Sequence, residues 1–182
     1  MVEEELRFAD LHERHPAVGE VVANYFAEAV AVCLDRHHES PQSFCIAESR
    51  GETRATARWP APDERMIGAW RNSRDIAATE AGAYALALAA VELTRGMVAL
   101  TPGETGSGCD YYVGAPGTPL TSVSRLIRLE ISGVDGGEPS RLMTRLKQKI
   151  RQLARGRSKL SGVAVTVGFK TLRILLAEKK EP

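Results

Sequence analysis

Asp110 and Glu130 are the two side chains whose types and settings best suit a chemical role. Period-2 alternation through Arg125 to Ser132 puts Ile127, Leu129 and Ile131 on one strand face and Arg128, Glu130 and Ser132 on the other. Glu130 is therefore expected mid-strand on a polar face. Asp110 follows the turn-rich run Pro102-Gly103-Glu104-Thr105-Gly106-Ser107-Gly108 and falls in a strand from Cys109 to Val113, on the face of Tyr112. Two carboxylates on neighbouring strands can share a hard divalent cation such as Mg²⁺ or Mn²⁺, which prefers oxygen ligands. Such an ion can activate water and offset the charge that develops on a phosphodiester. The competing reading is a turn-capping aspartate and an exposed strand glutamate.

Glu80, near the start of an Ala-rich helix, is a third acid that can support the metal, or else simply favours the positive end of that helix. Glu92 on the same helix is the weaker substitute. Cations are concentrated at the other end of the chain. From Pro139 onward twelve Lys and Arg stand against only Glu178 and Glu181, although the whole chain is nearly neutral at +1. A helix from Pro139 to Leu153 places Leu142, Leu146, Ile150 and Leu153 on one face, and Arg141, Arg145, Lys147, Lys149, Arg151 and Arg155 mostly off it. Such an unopposed basic helix points to a nucleic-acid partner held through backbone phosphates, with Arg128 adding a cation on the face of Glu130. No aromatic residues interleave with these cations, so base stacking is not expected.

Other motifs are read in preference as structural. The adjacent His37 and His38 lack the i, i+4 spacing of a helical metal pair and read as helix termination before Pro41. The glycines from Gly103 to Gly108 lack the Gly-Lys-Ser/Thr ending of a phosphate loop. Cys33, Cys45 and Cys109 match neither a disulfide framework nor a zinc pattern and suit a reducing cytosol.

The elements that must position these residues are legible in outline. A helix is expected just after Pro16, running to about Leu34. A hairpin follows, Ser43 to Glu48 and Thr53 to Trp59, turning at Ser49-Arg50-Gly51-Glu52. Met66 to Ser73 is a short helix or a loop. Asp75 to Arg95 is a helix stopped by Gly96. Strands are expected at Met97 to Thr101, Cys109 to Val113 and Arg125 to Ser132, then the basic helix, then a strand at Val163 to Phe169. Leu172 to Leu176 either continues that strand or forms another. From Asp75 the order is thus αβββαβ.

Taken together, Gly106-Ser107-Gly108-Cys109-Asp110, Leu129-Glu130-Ile131-Ser132 and Thr79-Glu80-Ala81-Gly82-Ala83-Tyr84-Ala85-Leu86 resemble the motifs of the PD-(D/E)XK nuclease superfamily, over roughly Asp75 to Leu176. The resemblance implies an α/β, restriction-endonuclease-like αβββαβ core over residues 75–182. Residues 1–74 would be a helix-and-hairpin elaboration packed on that core, in one compact domain. It further implies a Mg²⁺- or Mn²⁺-dependent nuclease for DNA or RNA, with Asp110, Glu130 and Glu80 as metal ligands and Ser132 where the family has its lysine. A serine cannot supply that cation, so either a residue such as Arg128, Lys147 or Lys149 replaces it, or the chain is a catalytically inactive binding or regulatory module, in a setting such as microbial defence or DNA processing. The elaboration offers a surface for a homodimer or a protein partner.

Length and composition agree with this scale. One domain fits 182 residues, and 43% apolar with 26% charged residues is a globular mix. The acidic start, Met1-Val2-Glu3-Glu4-Glu5, lacks the features of a signal peptide. The apolar run from Ala83 to Leu93 is shorter than the roughly 20 residues of a membrane helix. A cytoplasmic, non-membrane protein is the expectation.

Overall fold

In the computed structural model, residues 4–71 and 76–179 are described. The helices are α1 (Leu11–Arg14), α2 (Glu20–Asp35), α3 (Glu64–Arg71), α4 (Ile76–Arg95) and α5 (Pro139–Arg155). The strands are β1 (Gln42–Glu48), β2 (Gly51–Ala57), β3 (Val98–Pro102), β4 (Tyr111–Gly114), β5 (Ile127–Val134), β6 (Gly162–Gly168) and β7 (Arg173–Lys179). Ser73 and Asp75, the expected end of one helix and start of the next, lie outside the described residues.

All seven strands belong to one mixed sheet in the order β2-β1-β7-β6-β5-β4-β3. β3, β4 and β5 form an antiparallel meander. β6 then pairs parallel to β5, which requires a crossover, and α5 is that crossover. The segment from Leu172 is a separate strand: the chain turns through Phe169 to Leu172, where Leu172 takes φ 50°, and β7 returns antiparallel to β6. The N-terminal hairpin joins the same sheet through parallel pairing of β1 with β7, so the expected elaboration shares one hydrogen-bonded framework with the rest.

The Val-Ala-Val-Thr-Val run of β6 is buried on both faces, as expected of a central strand. One face of the sheet packs on α2 and α4 through Leu129, Ile131, Val163, Val165 and Val167. The other packs on α5, where Leu142, Leu146 and Leu153 meet Val134, Ala164 and Leu175. The alternation of β5 thus sends its even-numbered residues toward α5. On composition and length α4 could cross a membrane. Its apolar residues are instead consumed by the core between α2 and the sheet, where Ala83, Leu86, Leu88 and Ala90 are fully buried. Gly133 permits the close approach of α4 to β5: a Cβ there would lie 2.5 Å from the Thr79 carbonyl oxygen.

Polar anchors fix the C-terminal end of α4. Arg95 pairs with Glu48 at 2.6 Å and Glu178 at 2.8 Å, tying the helix to β1 and β7. Buried His15 accepts the Ala99 N–H on Nδ1, leaving Nε2 to donate to Glu92, which also pairs with Arg14. Burial lowers the pKa of His15, consistent with this neutral form. Glu92 is committed to that network and is no substitute for Glu80.

Candidate active site

Asp110 sits at the junction of the Gly-rich turn and β4. Its N–H donates to the Leu129 carbonyl, and its carbonyl accepts from Gly103 N–H, so the backbone is fixed on both sides. The carboxylate accepts the Ile131 N–H at 2.7 Å on one oxygen and the Tyr84 hydroxyl at 2.9 Å on the other. Gly108 makes this turn possible. It takes φ 72°, and a Cβ there would lie 2.9 Å from Gly156 Cα and 3.0 Å from the Gln152 carbonyl oxygen, so the turn closes directly on the end of α5.

Glu130 lies mid-strand on β5, 1% exposed, facing α5. Lys149 reaches down from α5 to place Nζ 2.6 Å from Glu130 Oε1. The other oxygen, Oε2, is buried with no protein donor. Burial, then the charge of Asp110, push the Glu130 carboxyl up to about 7, with Lys149 opposing. Burial also raises Asp110, with the Ile131 N–H, Tyr84 and Lys149 opposing. The two acids are therefore electrostatically coupled, with the Lys149 ammonium bonded to Glu130 and acting on Asp110 through its charge alone.

Because the folded pKa of Glu130 lies above the ordinary 4.5, the folded state holds this proton more tightly than the unfolded chain. The stability this contributes is fully present below about pH 4.5 and is lost as pH rises through about 7. Denaturation across pH 5 to 8 should show wild-type stability falling, by at most about 3 kcal/mol at 1.36 kcal/mol per unit. Glu130→Gln should remove most of that slope.

Glu80 is exposed on α4 and lines the groove beside the acid pair. Its Oε1 is 3.4 Å from the Tyr84 hydroxyl, whose shorter contact is to Asp110, so Glu80 joins the acids through Tyr84 rather than directly. Ser132 is half-buried, opposite Thr166 in the ladder, and lines the same groove with Lys149.

Arg128 was expected among the phosphate contacts; burial removes it from that set. It is 1% exposed. Its guanidinium donates to the carbonyls of Leu160 (2.7 and 2.9 Å), Leu153 (2.9 Å) and Ser107 (3.3 Å). It therefore fastens the Gly-rich turn and the end of α5 to β5. Lys147 and Arg151 are exposed but line neither groove at the acid pair. Arg141, Arg145 and Lys149, spaced i, i+4 and i+8, form one stripe along a groove of about 470 Å³. A second groove of similar volume continues past Asp110 and Glu130 between the Gly-rich turn and Gln152 and Arg155. Lys149 lines the first groove and Asp110 and Glu130 the second, and the Lys149–Glu130 bond joins the two into a polar channel beside α5.

His37 hydrogen-bonds Asp135 at 3.3 Å, and His38 Nε2 lies 3.1 Å from the Phe169 carbonyl oxygen, so both serve to dock the end of α2. Sequence reasoning missed Tyr84, which was quoted only as part of a helix motif; its i+4 spacing from Glu80 was the available signal. Among the described residues, no group of three or more His, Cys, Asp or Glu side chains is placed to hold a metal ion. A cation here would have two protein carboxylates, Asp110 and Glu130, the latter with its Oε2 free of hydrogen-bond partners, a set that suits Mg²⁺, which keeps several waters and needs only one or two carboxylates.

Comparison with family models, curated proteins and solved structures finds no match for this chain.

Proposed function

We propose that this protein is a metal-dependent nuclease-like enzyme acting on phosphodiester bonds of DNA or RNA, built on a restriction-endonuclease-like core of α4, β3, β4, β5, α5 and β6. The observation that carries this reading is the Lys149 ammonium, 2.6 Å from buried Glu130 beside Asp110. It restores from α5 the cation that Ser132 cannot provide.

Asp110 and Glu130 would hold Mg²⁺ or Mn²⁺, with Glu80 joined through Tyr84. When bound, the ion would supply Lewis acidity and a water of lowered pKa. Lys149 orients a water or phosphate oxygen at the acid pair and offsets charge on the reacting phosphate. Tyr84 and the Ile131 N–H fix the rotamer of Asp110. Arg141 and Arg145, with Arg155 beyond the acids, give a strand a line of phosphate contacts on either side.

The test is Mg²⁺- and Mn²⁺-dependent cleavage of single- and double-stranded DNA and RNA by the wild type, Asp110→Asn and Glu130→Gln. The proposal predicts cleavage by the wild type only. Folded wild-type protein that binds nucleic acid without cutting any substrate would instead indicate the inactive binding module, a reading favoured by Ser132 standing where the resembled family has its lysine.

Binding has its own signature. Each phosphate neutralised contributes about −0.7 to −0.9 to the slope of log affinity against log salt. Arg145→Ala should weaken binding several-fold and reduce the slope by nearly one, whereas Lys147→Ala, off both grooves, should change neither. Fluorescence anisotropy at a series of salt concentrations checks both.

A further inference from the structure

Where the channel leaves the acid pair it meets a pocket of different chemistry. The second groove and this pocket share Glu104. The pocket has a volume of about 530 Å³, within the roughly 300–1,000 Å³ of small-molecule sites. Its apolar wall is formed by Tyr112, Leu126 and Leu160, backed by buried Val98 and Leu100. Leu120 and Val123 stand at the mouth, 52% and 54% exposed. Polar residues line the same space: Glu104, Ser158, whose hydroxyl oxygen accepts the Leu160 N–H, and Lys159.

We infer that this pocket receives one unpaired nucleobase of a DNA or RNA strand whose phosphates follow α5, so that the substrate is single-stranded or has an extruded nucleotide next to the cleavage site. The inference rests on the nucleic-acid reading above. Tyr112 is a preorganised wall, half-buried and held on β4 between Thr101 of β3 and Arg128 of β5. Aromatic and aliphatic walls take up an unstacked base, and such stacking is tolerant of sequence. The edge groups add selectivity. Glu104, an acceptor when ionised, suits the exocyclic amine of cytosine, adenine or guanine, and has no matching donor on that group in thymine or uracil. Lys159 and Ser158 can donate to a ring nitrogen, a carbonyl or the adjoining phosphate. A duplex end cannot deliver a base into this space while its pairing is intact.

The test is anisotropy of labelled oligonucleotides in metal-free buffer, using single-stranded DNA and RNA, a blunt duplex, and single strands carrying one abasic position scanned along the chain. Expected is at least tenfold tighter binding of single strands than of the duplex, with about a tenfold loss confined to one abasic position. Leu120→Ser and Val123→Ser, neutral changes at exposed positions that spare the core, should remove the single-strand preference and leave duplex binding as it was. Glu104→Gln should narrow the preference for cytosine over thymine at the sensitive position. Equal binding of the two forms, or rim variants that bind single strands like the wild type, would overturn the base pocket. Arg145→Ala separates the two ideas. If it weakens all binding while the rim variants do nothing, the pocket inference fails and the phosphate channel stands; if it also has no effect, both fail.

Discussion

Lys149→Met is expected to lower metal-dependent cleavage by about 10²–10³-fold, the scale of losing one preorganised electrostatic group at a reacting centre, without preventing folding. Methionine keeps most of the stem that lies along α5 and removes only the ammonium 2.6 Å from Glu130. Simple loss would not separate a catalytic amine from a structural ion pair, so a second substitution is informative. Ser132 faces α5 from the same strand face as Glu130 and lines the groove with Lys149. Ser132→Lys in the Lys149→Met background returns an amine to the groove from the strand, and should recover at least tenfold of the lost rate. A purely structural Lys149 would show the reverse pattern: reduced thermal stability, unchanged cleavage per folded molecule, and no recovery.

The largest expected effect on stability belongs to Arg128. Arg128→Met leaves the carbonyls of Leu160, Leu153 and Ser107 without their buried donor. Each unsatisfied buried group costs about 1–3 kcal/mol, so chemical denaturation should show a loss of at least about 3 kcal/mol. The damage should also reach the chemistry, because Ser107 belongs to the turn that delivers Asp110. Arg128→Lys keeps the charge but has no planar fork to span several carbonyls, and should recover only part of the stability. Salt dependence of nucleic-acid binding should be unchanged in folded Arg128→Lys, since this side chain meets no phosphate.

Much of the frame was legible before any coordinates. Period-2 alternation put Glu130 on the face that proved to look at α5, and the leucine spacing from Pro139 identified the buried side of that helix. What the alternation could not say was which polar residues on that face are buried. Arg128 and Glu130 look alike in sequence, two positions apart. Arg128 is enclosed because the end of α5 and the Gly-rich turn close over it, an event set by Gly108 and Gly156 far along the chain. The same limit hid the pocket at Tyr112: its walls come from β4, the segment before β5 and the loop after α5, so no aromatic residue interleaves with the cations in sequence. The choice among replacement cations was open for a similar reason. Only the crossing of α5 over β5 selects Lys149 from its neighbours.

The partition of roles along α5 follows from its geometry. Leu142, Leu146 and Leu153 bind the helix to the sheet, Arg141, Arg145 and Lys149 flank that seam on the channel side, and Lys147 and Arg151 point elsewhere. A basic helix is therefore divided into a groove-lining stripe and a solvated one, which is why single substitutions in it should differ sharply in effect.

The central claim, that Asp110 and Glu130 form a cation site served by Lys149, is tested most directly by Mn²⁺ titration of the folded protein followed by electron paramagnetic resonance. One saturable Mn²⁺ is expected at pH 8, lost in Asp110→Asn and Glu130→Gln, with affinity falling toward tenfold per unit as pH drops below about 7, where Glu130 takes up its proton. Wild type and both variants binding Mn²⁺ equally weakly, with no dependence on pH, would contradict the claim and leave the Lys149–Glu130 pair as an internal ion pair of the fold.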